Sequence, residues 1–222
     1  MMEKLHITMV HDIVCSWCPI GYNNIKTAIE NLNLEVEFHF IPFQLNPNMD
    51  EAGESIASYF KRQFGWNETK LHNYQHSLVN TAANAGISID FSRRTHYYNT
   101  HNAHLLMHWA EQFNKQKLLN ERLIKAYFND GSDISNLTVL LNIAEEVGLD
   151  RKQANIALAS SRSSQELQQE LTRKSQRYQN FDISSIPAFI INNNELISGS
   201  NSVGYFEKTL SKLSQATYVE HN

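Results

Sequence analysis

His11-Asp12-Ile13-Val14-Cys15-Ser16-Trp17-Cys18-Pro19-Ile20-Gly21 holds both cysteines of the chain, and its reading decides the fold. Ahead of it, Leu5 to Val10 (Leu-His-Ile-Thr-Met-Val) is a short apolar run rich in strand formers. Behind it, Ile20, Ile25, Ala28, Ile29 and Leu32 recur at helical spacing. Cys15 is therefore expected where a strand gives way to a helix. The unpaired N–H groups and positive dipole end of a helix N-terminus favour a thiolate over a thiol, so Cys15 is expected to ionise readily. Cys18 is placed one turn inside the helix, close enough to attack a mixed disulfide at Cys15, with burial keeping it protonated until then. Pro19 suits a first helical turn, where no N–H partner is lost.

A lone C-x-x-C has two other readings, half of a zinc site or two inert core thiols. A structural zinc takes four N or S ligands, usually as two separated pairs, and no second cysteine pair exists. A strand, then C-x-x-C opening a helix, then another strand is the pattern of thiol redox proteins.

The wider chain fits this. Its 222 residues suffice for a substantial core without disulfide staples. A net charge of −4 and a pI near 6.2 leave no basic footprint for nucleic acid. The first residues, Met-Met-Glu-Lys-Leu-His, lack the apolar core of a secretory signal, and no window approaches a membrane span. A cytoplasmic location is expected, where a cysteine pair is more plausibly catalytic than structural.

Leu34 to Phe43 alternates Leu34, Val36, Phe38 and Phe40 against Glu35, Glu37 and His39, the period-two pattern of a strand. The opening 43 residues thus read β-α-β with parallel strands. From Asn46 a helical series follows: Ser55 to Phe64; Thr69 to Ala85, stopped by Gly86; a brief extended piece over Ile87 to Phe91; and a helix from about Thr100 carrying Ala103, Leu106, Met107, Ala110 and Phe113. Leu119, Leu123 and Tyr127 mark another. Ser135 is expected to cap a helix ended by Gly148, Asp150 to cap the next, and Ser163 with Glu166 to form a capping box for a helix to about Tyr178. Ala188 to Ile191, a turn at Asn192-Asn193-Asn194, and Glu195 to Ser198 read as a hairpin, then a closing helix starts at Ser202 and the tail from Gln215 is loose.

The expected fold is α/β and thioredoxin-like, β-α-β then β-β-α, with a large inserted all-helical domain. The thioredoxin-like domain spans 1–46 and 163–222, and the insertion spans 47–162. Ile186-Pro187 falls in the loop that faces the cysteines in such a fold. A cis bond there would present the Ile186 backbone to a substrate held beside Cys15; the alternative is a trans proline that merely starts a strand.

These motifs carry a resemblance. Asp12 to Cys18 with Ile20-Gly21, Asn99-Thr100-His101-Asn102-Ala103-His104-Leu105 with Trp109-Ala110, Ala144-Glu145-Glu146-Val147-Gly148-Leu149, and Ile186-Pro187-Ala188-Phe189 resemble the DsbA family of thioredoxin-fold oxidoreductases, its FrnE-like branch most. The similarity runs almost end to end. It implies thiol–disulfide exchange through Cys15 and Cys18 opposite a cis proline at Pro187. Ser16 stands where the branch often has Pro, Pro19 where it has an aromatic, and Ser185 where it has Gly. Since Ser16 and Trp17 set the redox potential, the direction of electron flow does not transfer. Kappa-class glutathione transferases and hydroxychromene-carboxylate isomerases usually carry Ser at the first cysteine position, which Cys15 argues against.

Asp12, three residues before Cys15, is read either as a proton relay for Cys18 or as a cap of the loop. Trp17 and Ser16 are expected to be exposed and, with Ile186, to meet substrate. His11 is read as a solvated strand end, with charge tuning of Cys15 as the other reading. His101, His104 and His108 share one helix face and His72 with His76 another, but no carboxylate stands at matched spacing, so no metal is expected; His104 is expected to pack the insertion against the active-site face.

The expectation is a protein disulfide oxidoreductase or isomerase acting on protein or small-molecule disulfides and thiols. No tightly bound cofactor is expected; glutathione or thioredoxin would serve as redox partner. No nucleic acid or membrane partner is expected, and the state is monomer or homodimer. A glutathione-dependent isomerase of a small aromatic or polyketide substrate and a non-enzymatic holdase or adaptor are the other hypotheses.

Overall fold

A computed structural model describes residues 4–50 and 52–219, leaving aside the side chains of 161–163 and 216–219. The chain runs β1 (Leu5–His11), α1 (Cys18–Asn31), β2 (Val36–Pro42), β3 (Glu54–Ser55), α2 (Ile56–Phe64), α3 (Glu68–Asn84), β4 (His96–Tyr97), α4 (His101–Glu111), α5 (Gln116–Phe128), α6 (Leu137–Glu146), α7 (Arg151–Ala159), α8 (Ser161–Gln176), β5 (Ala188–Ile191), β6 (Glu195–Ser198) and α9 (Val203–Val219). The fold is thioredoxin-like: a sheet in the order β2-β1-β5-β6, with a helical block inserted between β2 and β5. β1 lies parallel to β2, Leu5 opposite Val36 and Met9 opposite Phe40, and antiparallel to β5. A central strand with both faces covered explains why β1 reads as a continuous apolar run while the flanking β2 alternates.

On one face Ile7, Met9, Phe38, Phe40 and Phe189 join Ile20, Ile25 and Ala28 of α1, Phe206 and Leu210 of α9, and the apolar faces of α4, α5 and α6 in one continuous core. Each buried Ile, Leu, Met or Phe among them contributes about 1.5–3 kcal/mol. The other face is smaller: Val10, Ile41, Ala188 and Ile190 lie under Tyr178, Phe181 and Ile183, the segment following α8.

Local chemistry sets most boundaries. Ser55, Asn67 and Asp150 accept backbone N–H groups of α2, α3 and α7. Gly148 ends α6 in the left-handed region at φ +80°, and the β5–β6 turn places Asn192 and Asn193 there, a conformation asparagine tolerates.

Several expectations need correction. Asn136, not Ser135, caps α6: its Oδ1 accepts from Thr138 and Val139, while Ser135 bonds to Asp133. α8 begins at Ser161, so Ser163 lies within its first turn; the side chain of Ser163, and with it the expected capping box, is outside the described residues. Ile87 to Phe91 pairs with no strand, and the short ladder of this region joins β3 to β4. Phe113 lies beyond α4 and is partly exposed. The tail is helical through Val219 because α9 continues past Gln215.

Candidate active site

β1 ends at His11, and the chain reaches α1 through two tight turns in which Cys15 N donates to Asp12 O and Cys18 N to Cys15 O. Cys18 is thus the first helical residue rather than one turn inside, and Cys15 precedes the helix. Trp17 is the N-cap and makes no side-chain capping bond, and Pro19 occupies the first turn, where its missing N–H costs nothing. Both thiols are free. Cys15 is 6% exposed and Cys18 1%. Burial first, then hydrogen bonding to Cys15, pushes the Cys18 thiol well above its ordinary range, so Cys18 is the protonated member.

The final hairpin supplies the opposing wall. The Ile186–Pro187 peptide bond is cis, and the Cys15 thiol points at the Ile186 carbonyl 3.8 Å away. Pro187 O accepts from Gly199 N at 2.7 Å, tying the loop to the end of β6. Gly21 of α1 makes the close approach possible: a Cβ there would stand 2.8 Å from Pro187 Cγ and 3.2 Å from Ser200 Cα. Cys15, Ile186 and Pro187 are therefore together, 171 residues apart in sequence for Cys15 and Ile186.

Asp12 is fully buried. Its Oδ2 accepts from Leu45 N at 2.8 Å, and its Oδ1 accepts from His104 Nε2 of α4 at 3.2 Å. It braces the loop after β2 and the helical block against the cysteine turn, and its charge also acts on the Cys18 thiol. His104 thus packs the insertion on this face.

Three placements differ from expectation. His11 is completely buried rather than solvated, edge-on to Phe40 at 5.0 Å and to His104 at 5.6 Å, because β1 is covered on both faces. Burial, then the neighbouring His104, drives its pKa well down, so it is neutral and supplies no charge to Cys15. Ser16 is buried, its hydroxyl accepting from Arg94 Nη1 at 3.0 Å. Of the two residues between the cysteines only Trp17 is open, at 37% exposure, and its Nε1 donates to Tyr74 Oη of α3 at 3.1 Å.

Arg94 and Tyr74 carry no positional signal in the sequence; long-range folding alone brings them to the motif. A cleft of about 420 Å³ opens beside Pro19, walled by Tyr22, Ile87, Ile89 and Ile124 with Lys26 and Glu121 at its side. Of the three α4 histidines, His104 serves Asp12 while His108 faces Glu111 and Glu170. Among the described residues no group of three or more His, Cys, Asp or Glu side chains could hold a metal ion, and no helix is long and apolar enough to cross a membrane.

A β-α-β then β-β-α sheet with a C-x-x-C turn facing a proline loop defines a thioredoxin-like protein. Residues 6–211 match the DSBA-like thioredoxin domain, and the chain belongs to that family. Uncharacterized protein YwbO of Bacillus subtilis (strain 168) is 29% identical over 207 residues, covering 93% of this chain and 96% of that protein. Among solved structures, the probable DsbA oxidoreductase SCO1869 from Streptomyces coelicolor matches with a TM-score of 0.84 at 19% identity, over 94% of this chain and 89% of that one. A 2-hydroxychromene-2-carboxylate isomerase matches with a TM-score of 0.66 at 13% identity, over 96% and 98%. At these identities the structural matches speak for the fold alone.

Proposed function

We propose that the protein is a thiol–disulfide oxidoreductase of the FrnE-like branch, with Cys15 as the attacking sulfur and Cys18 as the resolving thiol. The observation that carries this is the asymmetry of the pair. Cys15 lies ahead of the helix against the Ile186 carbonyl, where an extended substrate can align. Cys18 lies buried behind it with its proton held.

Cys15 attacks a substrate disulfide, one substrate sulfur leaves as thiolate, and a mixed disulfide forms. Cys18 then loses its proton and displaces the second substrate sulfur, closing the Cys15–Cys18 disulfide. Asp12 is the candidate proton relay for that step, since its charge already reaches the Cys18 thiol. Trp17 and Ile186 bound the substrate, while Ser16, being buried, acts from beneath. Protein or small-molecule disulfides are the substrates, with glutathione or thioredoxin as redox partner. A cytoplasmic location fits a fold whose only two cysteines both lie at this site.

The test is disulfide turnover by Cys15→Ser, which should be abolished. Retained turnover would end the reading. A glutathione-dependent isomerase has one feature in its favour, the 420 Å³ cleft beside Pro19, which falls in the roughly 300–1,000 Å³ range of ligand pockets. Isomerisation that needs glutathione but survives Cys18→Ser would select it.

A further inference from the structure

The 420 Å³ cleft beside Pro19 lies between α1 and α5, and its third wall is tied to both helices. Gly86, at φ +77°, turns the chain out of α3 into Ile87-Ser88-Ile89. Asn23 Nδ2 of α1 donates to Ala85 O at 2.5 Å just ahead of this segment, and Asn129 Nδ2, at the end of α5, donates to Ser88 O at 3.0 Å within it. The cleft is therefore formed before any ligand arrives. Ile87 and Ile124 pack against the core yet stay half exposed, and with Ile89, Tyr22 and Pro19 they give it an apolar lining. Apolar surface left open in a concave site gains from being covered.

The rim is charged, and unevenly. Glu121 Oε1 takes both the Lys26 ammonium at 2.9 Å and the Tyr22 hydroxyl at 3.2 Å. Lys125, one turn along α5 and exposed, forms no ion pair among the described residues. Burial first, then the charges of Lys4 and Lys26, lowers the pKa of the neighbouring Lys117. Around the cleft Lys4, Lys26, Lys117 and Lys125 thus outnumber Glu121 and Glu30, whose charge reaches Tyr22, although the whole chain carries −4. One negative charge on a ligand would meet an unpaired ammonium there.

We propose that this cleft is a second ligand site, for a compact apolar molecule bearing a single carboxylate. The apolar body lies among Ile87, Ile124 and Tyr22, and the carboxylate meets Lys125 and Lys26 at the rim. A volume toward the lower end of the roughly 300–1,000 Å³ span of ligand pockets selects a body of about two fused rings over a polypeptide segment. Neither cysteine lines the cleft, nor do Trp17, Ile186 and Pro187. The site therefore stands apart from the dithiol centre and uses none of the chemistry proposed above.

Calorimetric titration of the full chain with 2-naphthoate tests this, with 2-naphthylmethanol as the uncharged counterpart. Naphthoate should bind once per chain with a Kd below about 1 mM, and the alcohol about tenfold more weakly because it makes no charge-assisted bond. Lys125→Ala, at an exposed position, should weaken naphthoate about threefold and leave the alcohol unchanged. Ile124→Trp, which fills the cleft, should weaken both by about tenfold or more. The comparison of the two probes and the Lys125 variant stand whether or not Ile124→Trp folds. Cys15→Ser should bind naphthoate as the wild type does. Absence of naphthoate binding at about 5 mM, equal affinity for the alcohol, or full affinity retained by Lys125→Ala would each overturn the inference. So would loss of binding in Cys15→Ser, which would put the probe at the redox centre, or binding that needs reduced glutathione, which would give the cleft to the isomerase reading.

Discussion

The two faces of the sheet treat charge in opposite ways. On one, His39 of β2 sends Nδ1 to Glu111 at 2.7 Å and Nε2 to Glu37 at 2.9 Å, and Lys174 of α8 closes on both Glu111 oxygens at 2.5 and 2.6 Å. Every charge has a counter-charge and all are partly exposed. On the other, Asp12, His11, Arg94 and the two thiols are almost wholly buried, and among the described residues Arg94 has no carboxylate partner and both His11 nitrogens lack partners. The paired cluster fastens α8 to the sheet. The buried one surrounds the two thiols, and there burial holds Cys18 protonated and His11 neutral, as expected where environments are arranged to shift titration.

The largest effect should come from breaking the buried side. Asp12→Ala strands the Leu45 N–H and the His104 N–H together, and urea unfolding should show a loss of about 3 kcal/mol. A loss below about 1 kcal/mol would mean that Asp12 does not brace the block. Gly21→Ala comes next. Its new methyl meets Pro187 and Ser200 backbone, so either the hairpin loop or α1 must move. Stability should fall by about 1–3 kcal/mol and disulfide turnover by about a hundredfold, and unchanged turnover would show that the Pro187 spacing is unimportant.

The two faces should also part company with pH. His11 has a depressed folded pKa, so the unfolded chain binds the extra proton; stability is intact above about 6.5 and falls as pH drops below it. His39 has a raised pKa, chiefly through Glu111, so its contribution is complete below about 6.5 and fades as pH rises toward its folded value. Between about pH 6.5 and 5 the His39 contribution is flat, and the slope comes from His11 together with His101, whose pKa burial also lowers. His11→Phe should reduce that slope, and an unaltered slope would contradict neutral burial.

The smallest effect belongs to the paired face. Burial opposes ionisation of Glu111, but hydrogen bonds from His108, His39 and Lys174 outweigh it and hold the carboxyl well below the usual range. Because these partners are a fifth or more exposed at Lys174 and His39, Glu111→Gln should cost only about 1 kcal/mol at pH 7. A loss as large as that of Asp12→Ala would erase the contrast.

Much of this molecule is legible along the chain, for local reasons. The alternation around Phe38 and Phe40, the hairpin signal at Asn192-Asn193-Asn194 and the cysteine spacing give the sheet and its motif, because each is written within a few residues. The sequence points to a solvated His11 because its burial depends on β5 and α4, which lie far off in sequence. The burial of Ser16 is hidden for the same reason, as Arg94 comes from 78 residues away. Caps shift by a residue, as between Ser135 and Asn136, when two adjacent residues both suit the role.

Incubating Cys18→Ser with oxidised glutathione and measuring intact mass and peptide masses tests the central claim most directly. The account predicts one glutathione adduct, located at Cys15 and released by dithiothreitol. An unmodified Cys15, under conditions where the wild type likewise forms no Cys15–Cys18 disulfide, would contradict it.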